Sequence, residues 1–372
     1  MVPNGWLHKQ IGEIASIQVG RDLVEDKYSE ISTTEYKYPV YSNTVENKGL
    51  YGFYNFPEYS GNAITIVGRG VGLGKAFARS PGESFGAIGR LLVLTPKNNS
   101  FDVIFFANYI NFALRIHNES GGIPQLPGAS LSKYFVMLPP LAEQQKIAQI
   151  LSTWDKGIAV TEQLLANSQQ QKKALMQQLL TGKKRLLDEN GARFEGEWEE
   201  FSLGNIAKVY QPKTISQSQL SFDGYPVYGA NGIIGYYCDF NHELEQIAVT
   251  CRGSTCGVVN WTMPKSWITG NAMVINVDNN SAISKKFLFY VLSNADLKYL
   301  ITGSGQPQIT GDIKNHVVHL ASFKEQKVIA QVLTIADQEI EVLQRKLDCL
   351  QQEKKALMQQ LLTGKRRVKV AA

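Results

Sequence analysis

Residues 67–76, VGRGVGLGKA, are the stretch of this sequence closest to a phosphate-binding loop. A P-loop requires the pattern G-x-x-x-x-G-K-[ST], in which backbone N–H groups cradle phosphates and the hydroxyl binds magnesium. Here the first glycine of that pattern falls on Arg69 and the hydroxyl residue on Ala76. The dinucleotide fingerprint G-x-G-x-x-G fails as well, because Leu73 takes the place of its third glycine. The loop therefore predicts no nucleotide or S-adenosylmethionine site.

Other residue types that could do chemistry are sparse. His316 and His319 lie three residues apart without an acidic or cysteine partner nearby, which favours ordinary strand histidines over metal ligands. Cys251 and Cys256 bracket a glycine loop and are interpreted as structural for the same reason. No Ser/His/Asp set has a local pattern typical of a triad. The sequence thus predicts neither catalytic residues nor a metal site.

Composition narrows the class of protein. Hydrophobic residues make up 44% of the 372 residues and charged residues 19%, as in a soluble globular protein. The net charge of +5 is a mild bias toward polyanionic partners. All four cysteines lie in the second half, which excludes a disulfide framework and favours a reducing compartment. Without an apolar signal segment or a long apolar run, we expect a cytoplasmic protein with no membrane partner.

The chain is an internal repeat. The segment KKALMQQLLTGK begins at Lys172 and returns unchanged at Lys354, a period of 182 residues. This is far longer than the roughly 20 to 50 residues of a solenoid unit, so each copy is interpreted as a domain plus an appendage. Weaker matches recur upstream in the same order: YPVY at Tyr38 and Tyr225, GRG and CRG at Gly68 and Cys251, Pro-Gln turns at Pro124 and Pro307, and EQQKIAQIL and EQKVIAQVL at Glu143 and Glu325.

Each copy closes with a long amphipathic helix. Apolar residues alternate four and three apart, which is the heptad seam of a coiled coil. We predict spacer helices over residues 142–182 and 324–364, each about 60 Å long and too long for one small domain. Ser322 and Glu325 predict a capping box, and Gly182 and Gly364 predict the helix stops. The seam residues are Leu151, Ile158, Leu165, Leu175 and Leu179 in the first helix, and Leu333, Ile340, Leu347, Leu357 and Leu361 in the second.

Lysine also occupies one seam position in each copy, at Lys172 and Lys354. A lysine in a seam can fix the register of the helices at some cost in stability. It can equally reach solvent from a frayed helix end. The sequence leaves both interpretations open.

The remaining segments predict two globular domains, residues 1–141 and 198–323, with a charged linker at 183–197 and a basic tail at 365–372. Short β-rich runs at 63–67, 91–95, 247–250 and 273–277, followed by helical stretches at 103–117 and 285–300, indicate a mixed α/β (α+β) fold. Because domain termini often lie close together, the first helix should end near the start of the second. The helices are therefore expected to run antiparallel, with one domain at each end and a pseudo-twofold axis between them.

Three motifs together are similar to the specificity subunits of type I restriction-modification enzymes: LPPLAEQQKIAQIL, the turns IPQLPG and QPQITG, and QQKKALMQQLLTGKKR. The resemblance spans essentially the whole chain and occurs twice in the same order. It implies two target-recognition domains that each read half of a bipartite double-stranded DNA sequence, separated by the antiparallel helices.

The same resemblance implies a chain that is not an enzyme by itself and holds no cofactor. Adenine methylation would belong to modification subunits that use S-adenosylmethionine. Translocation and cleavage with ATP and magnesium would belong to restriction subunits. Two alternatives stay open: a self-contained DNA-modifying enzyme, and a tandem-domain scaffold that does not bind DNA.

Candidate DNA-binding residues divide into shared and divergent positions. Shared residues are expected to hold the fold or touch phosphate, since phosphate and sugar contacts are the majority class. Glutamine can also bond the N6 and N7 atoms of adenine together. Specificity is expected where the copies differ. The shared candidates are Arg69 with Arg252 and Gln125 with Gln308; the divergent ones are Lys75 and Arg79 in the first domain and Ser254, Thr255 and Lys265 in the second.

Overall fold

The computed structural model describes residues 2–118, 121–230, 232–303 and 305–369, which form two compact units. Unit 1 holds the residues up to Glu162 together with those from Lys346 onward, and unit 2 holds Gln163–Arg345. Each unit thus contains one globular domain and a part of each long helix. Within the described residues, no helix combines the length and apolar character of a membrane span.

Domain 1, the globular part of unit 1, is mixed α/β. Its strands are β1 (Leu7–Gln10), β2 (Ala15–Val19), β3 (Tyr28–Ser29), β4 (Tyr38–Tyr41), β5 (Leu50–Tyr54), β6 (Ala63–Ile66), β7 (Ala76–Arg79), β8 (Gly86–Ala87), β9 (Leu92–Pro96) and β10 (Phe135–Leu138). Its α-helices are α1 (Ile11–Ile14), α2 (Val103–Ala113) and α3 (Gly128–Leu131), and the long helix α4 (Leu141–Leu179) follows. Single 3-10 turns lie at Glu25–Lys27, Glu46–Gly49 and Lys97–Asn99.

Domain 2, the globular part of unit 2, is also mixed α/β and follows a similar but not identical order of elements. Its strands are β11 (Glu199–Ser202), β12 (Lys208–Tyr210), β13 (Tyr225–Gly229), β14 (Gly232–Tyr237), β15 (Ile247–Thr250), β16 (Val259–Trp261), β17 (Trp267–Ile268), β18 (Ala272–Asn276), β19 (Ile301–Thr302), β20 (Gln308–Ile309) and β21 (Val317–Leu320). Its α-helices are α5 (Leu203–Ile206) and α6 (Lys285–Asn294), followed by the long helix α7 (Phe323–Leu361). The 3-10 turns are Gln217–Gln219, Leu297–Leu300 and Gly311–Asn315.

Equivalent sheets build the two domains. An antiparallel sheet has the order β2-β9-β6-β7 in domain 1 and β12-β18-β15-β16 in domain 2. A second sheet has the order β3-β5-β4-β8 in domain 1 and β14-β13-β17 in domain 2. The first strand of each domain pairs with the last, β1 with β10 and β11 with β21, which brings the two ends of each domain together. The expected mixed α/β fold in two repeated copies is confirmed.

The predicted segments agree with the observed elements to within a few residues, apart from the helices after each sheet. The stretch 103–117 is helical only to Ala113, and 285–300 only to Asn294 before a 3-10 turn. Side-chain caps at Asp102 and Ser284 start these helices, as their polar types allow. Leu114 and Ala295 are extended and end them, so the apolar residues beyond Ala113 belong to a loop and those beyond Ala295 belong to the 3-10 turn.

The long helices end as their glycines predict. Gly182 and Gly364 have φ of 68° and 70°, the left-handed region that favours glycine. The N–H of Lys184 donates to Gln178 O at 3.1 Å and that of Arg366 to Gln360 O at 3.1 Å, which satisfies a carbonyl of the last turn of each helix.

The predicted capping box at the start of α7 forms only in part. The Glu325 N–H donates to Ser322 Oγ at 3.5 Å, a marginal bond. The Glu325 carboxylate instead accepts from Nε and Nη2 of Arg185 at 2.6 and 2.7 Å. The prediction of a full box was wrong because a buried carboxylate gains more from a bidentate guanidinium than from one backbone N–H.

Within unit 1, the start of α4 lies beside the end of α7. Glu143, 3% exposed, accepts from Nη2 and Nε of Arg367 at 2.6 and 2.7 Å. Several turns further along α4, Asp155 forms an ion pair with Lys354 of α7. As residue numbers increase along α4, the numbers of their partners at α7 decrease. The two helices are therefore antiparallel. The described part of the predicted basic tail, residues 365–369, is also held here, since Arg367 bonds Glu143 and the carbonyl of Asn4.

Unit 2 repeats this arrangement with the roles of the helices exchanged. Asp337 of α7 pairs with Lys172 of α4, and Glu325 with Arg185. The helices are again antiparallel, which confirms that prediction in each unit. Lys172 and Lys354 are 24% and 18% exposed, and each meets an aspartate of the opposite helix. This favours the interpretation that the seam lysines fix register.

The end of each long helix completes a domain core. In unit 1, Leu361 and Leu362 of the α7 end are 2% and 0% exposed and join a cluster that contains Ile147 and Leu151 of α4. In unit 2, Leu179 and Leu180 take the same place. Domain 1 therefore depends on residues more than 200 positions away. Of the ten predicted seam residues, Leu151, Leu165, Leu179, Leu333, Leu347 and Leu361 are buried, and Ile158, Leu175, Ile340 and Leu357 are half-buried.

We expect Leu361→Ala to destabilise domain 1 by about 2–5 kcal/mol, the usual range for a buried leucine whose cavity does not collapse. Hydrogen exchange followed by mass spectrometry should show lost protection in α2 and in β10, although both lie far from position 361 in sequence. Domain 2 should keep its protection.

Leu179→Ala is the matched variant and should show the reverse pattern, with protection lost in α6 and β21. Gln359→Ala, exposed in the same turn as Leu361, serves as the surface control. Protection lost in domain 2 alone on changing Leu361 would contradict the assignment of this leucine to the core of domain 1.

Candidate nucleic-acid interface

In domain 1, residues 68–75 connect β6 to β7 and form what we call glycine loop 1. Gly70 and Gly74 have φ of 87° and 82°, a conformation in which a side chain would be strained. The base of the loop is closed by backbone bonds, from Gly74 N to Val67 O at 2.8 Å and from Val67 N to Lys75 O at 2.9 Å. The loop backbone is therefore set by glycine and by main-chain bonds.

Glycine loop 2, residues 251–258, connects β15 to β16 in domain 2 and has the same geometry. Gly253 and Gly257 have φ of 87° and 91°. Gly257 N donates to Thr250 O at 2.8 Å, and Thr250 N donates to Val258 O at 2.8 Å. Each bond of loop 1 thus has its counterpart in loop 2.

A second segment pairs with each loop and carries the shared glutamine. Arg69 forms an antiparallel β-bridge with Gln125, and Arg252 forms the same bridge with Gln308. Gly70 N donates to the carbonyl of the proline before Gln125 at 2.9 Å. The structure therefore brings each shared arginine beside its shared glutamine, which sequence order alone did not predict.

The side chains of these pairs are available to a ligand. Arg69, Arg252 and Gln308 are exposed, and Gln125 is half-buried. A guanidinium suits phosphate, and a neighbouring amide can donate to and accept from a base edge. Each domain thus presents one cation and one amide from two adjoining segments.

The divergent candidates take different positions. Lys75 lies exposed at the base of loop 1, and Ser254 is exposed on loop 2. Thr255 is half-buried, with its hydroxyl 3.3 Å from the carbonyl of Ala230. Lys265 lies outside the glycine loops, on the turn between β16 and β17, where it is exposed 3.9 Å from Glu243.

Arg79 does not fit the prediction of a DNA contact. It is 3% exposed, and Nε and Nη2 donate to Thr65 Oγ1 at 3.1 and 2.8 Å. Nη2 also donates to the carbonyl of Lys48 at 2.6 Å, and the guanidinium lies 3.3 Å over the ring of Tyr41. Burial raises the pKa of Tyr41 to about 12 and lowers that of Arg79. Arg79 is thus a structural residue that fastens the turn after β4 to the sheet.

The sequence did not predict the segment that follows YPVY in each domain and hydrogen-bonds to the glycine loop or to the strand before it. Asn43 Oδ1 accepts from Gly68 N at 2.8 Å in domain 1. In domain 2 the carbonyl of Ala230 accepts from the hydroxyls of Thr250 and Thr255. Both supports lie two residues after the repeated YPVY, which was the available signal.

The histidines and cysteines occupy ordinary positions. His319 Nε2 lies 2.9 Å from Glu200 Oε1, and His316 Nδ1 lies 2.7 Å from the hydroxyl of Tyr299. Cys251 and Cys256 are buried at 0% and 9% exposure. Among the described residues, no three His, Cys, Asp or Glu side chains are grouped as a metal site would need.

The repeated domains and antiparallel helices define a class of protein. The family model described as "Type I restriction modification DNA specificity domain" matches residues 3–167 and 195–352, and the chain belongs to this family. The resemblance found in the sequence is confirmed.

Individual relatives are consistent with membership of this family. The chain is 27% identical to a protein of Mycoplasma pneumoniae named provisionally as a type I specificity subunit, over 87% of both chains. It is 23% identical to the specificity subunit of the type I restriction enzyme MjaVIII of Methanocaldococcus jannaschii, over 99% of this chain and 94% of the relative. The crystal structure of a type I restriction-modification S subunit from M. genitalium shares the fold, with a TM-score of 0.74, 18% identity, and coverage of 97% of this chain and 99% of that one.

We expect Arg79→Met to lower the free energy of unfolding of domain 1 by about 1–3 kcal/mol, because the buried Thr65 hydroxyl and Lys48 carbonyl lose their donor. Hydrogen exchange in β6 and β7 would measure the change. Arg69→Met, which alters an exposed arginine on the adjoining loop, should change stability by less than about 0.5 kcal/mol. Equal effects of the two substitutions would contradict the structural role of Arg79.

Proposed function

We propose that this chain is the DNA sequence-recognition subunit of a type I restriction-modification complex, with each domain binding one half of a bipartite target. Membership of the specificity family supports this proposal. The two domains have the same fold, as two readers of DNA half-sites would. The net charge of +5 is compatible with a polyanionic partner.

One observation carries the proposal. The glycine loops share their backbone bonds and an Arg–Gln bridge, yet differ in the side chains that they present between the glycines. A recognition surface needs this combination, because a constant frame positions the protein on the phosphate backbone while variable side chains select bases. A scaffold without a ligand would not require an exposed arginine at the same point of both loops.

The residues divide into roles on this basis. Arg69 and Arg252 contact phosphate, and Gln125 and Gln308 lie where an amide could bond adenine N6 and N7. Lys75 and Ser254 stay candidates for contacts that differ between half-sites. Thr255 is less available, since its hydroxyl already has a partner.

Catalysis would lie in partner subunits. Modification subunits with S-adenosylmethionine would methylate adenine in the bound target, and restriction subunits with ATP and magnesium would translocate and cleave the DNA. A chain from a structure on assembly and conformational transition of the type I system shares the fold over 98% of this chain, with a TM-score of 0.53 and 15% identity. That similarity supports a place in a multi-subunit complex.

The test is sequence-specific binding by the chain assembled with the modification subunits of its own system. The logarithm of the binding constant should fall linearly with the logarithm of salt concentration, since bound phosphates release counterions. Arg69→Ala and Arg252→Ala should each reduce that slope by about one and weaken all sequences alike. Arg345→Ala, an exposed arginine on α7 away from the loops, is the control and should leave the slope unchanged.

The alternatives predict other outcomes. Methylation by this chain alone with S-adenosylmethionine would support a self-contained enzyme. A negligible salt slope in the assembled complex would support a scaffold. Mapping of N6-methyladenine in a genome with and without the chain should reveal one bipartite motif that depends on it.

We also propose that the length of the helices sets the gap between half-sites. Asp155 and Lys172 are as far apart on α4 as Asp337 and Lys354 are on α7, so both ion pairs can form in one register. One heptad inserted after Glu162 and one after Gln344 keeps both pairs and adds about 10 Å, or about 3 base pairs, to the gap. Methylome mapping should show the longer gap with unchanged half-sites.

An insertion in α4 alone is the matched control. It preserves the heptad pattern but misaligns one of the two ion pairs, so it should impair stability or assembly rather than give a clean new gap. A gap that stays the same after the paired insertion would refute the role of helix length.

A further inference from the structure

Val71 places an apolar side chain in solvent at the tip of glycine loop 1. It is 91% exposed and lies between Gly70 and Gly72, whose φ values are 87° and 90°. Isolated exposed apolar residues are common on protein surfaces, so exposure alone decides nothing. The comparison with the equivalent position of glycine loop 2 shows why this valine is a candidate for ligand contact.

Ser254 occupies the same backbone position in glycine loop 2. It follows Gly253 as Val71 follows Gly70, and both glycines donate to the carbonyl of a proline, at 3.0 and 2.9 Å. Ser254 is also exposed. One point of a shared backbone thus presents valine in one domain and serine in the other.

The neighbouring loop positions present no exposed side chain. A Cβ added to Gly72 would lie 2.4 Å from Cγ1 of Val45, and the equivalent Thr255 bonds Ala230. The next position is Leu73 in loop 1 and Cys256 in loop 2, which are half-buried and buried. Between the glycines that shape each loop, only Val71 and Ser254 place an exposed side chain in solvent.

Chemistry distinguishes the two residues. In the major groove, thymine alone among the standard bases carries a methyl group, and a small apolar side chain reads it by contact. A serine hydroxyl instead can donate to or accept from several base edges. Exposed Arg69 and Lys75 flank Val71 on the same loop, which favours a DNA partner over a protein partner.

We propose that Val71 contacts a thymine methyl group in one half-site, and that Ser254 takes the equivalent place in the other half-site by hydrogen bonding. This inference rests on the proposed function, since it assumes that the glycine loops enter the major groove. It assigns specificity to one position per domain. Val71 was not a candidate in the sequence because only polar side chains were considered for base reading.

The test removes single methyl groups from the DNA. Each thymine of the mapped target is replaced in turn by deoxyuridine, which keeps base pairing, and affinity is measured for the chain assembled with its modification subunits. One replacement should weaken wild-type binding about fourfold, the value of one buried methyl group. With Val71→Ala that same replacement should have almost no further effect.

Val258→Ala is the matched control, because Val258 is an exposed valine at the base of the other glycine loop. It should leave the methyl response assigned to Val71 intact. Val71→Ser should also abolish that response, and both Val71 variants should fold normally because the side chain is in solvent.

Three results would overturn the inference about Val71: no deoxyuridine position affects the wild type, Val71→Ala keeps the full fourfold loss, or the Val71 variants fail to assemble with the modification subunits. The last would indicate a protein contact. Failure of the proposed function is distinguishable, since the wild-type complex would then show no sequence-specific binding to any duplex.

Discussion

A buried carboxylate at the start of each long helix needs an arginine from beyond the end of the other. Glu143 and Glu325 are 3% and 0% exposed, and each would be an uncompensated buried charge without Arg367 or Arg185. The same helix ends bring leucines into each domain core. A copy of the sequence repeat is therefore not a structural unit, because each domain is completed by residues from the other copy. Antiparallel helices satisfy this requirement, since each start must lie beside the opposite end.

The ion pairs between α4 and α7 also restrict how the lengths of these helices can change. The ion pair Asp155–Lys354 of unit 1 and the pair Lys172–Asp337 of unit 2 are compatible with one register, because the two members on α4 are as far apart in sequence as the two on α7. Partly exposed ion pairs contribute little to the free energy of unfolding. Their main effect is to select one register among heptad registers that bury similar apolar residues. An alteration in one helix alone would satisfy one pair and break the other. We therefore expect helix length to vary only as a matched change in both copies.

The sequence predicted the long helices well because a heptad seam and a terminal glycine are local signals. Their direction followed from connectivity. Glu325 was assigned to a capping box because its partner Arg185 is distant in sequence and nothing local indicates it. Arg79 was misassigned for a similar reason, since the Thr65, Tyr41 and Lys48 groups that bury it converge only in the folded sheet. The motifs with Arg69 and Gln125 were found, but their β-bridge was not, because it joins a loop to a segment more than fifty residues later.

The glycine loops show how two domains can share a frame and differ in what they present. Their conformation depends on main-chain bonds and on glycines with positive φ, none of which uses the side chain at the tip. Replacing Val71 or Ser254 therefore removes no contact that the fold needs, whereas a side chain at Gly72 would collide with Val45. Between the glycines of each loop, substitution is therefore tolerated best at the position of Val71 and Ser254, whose side chain is exposed. A loop with this distribution of constraints can change its ligand contact without a change in fold, which is what a reader of variable DNA targets requires.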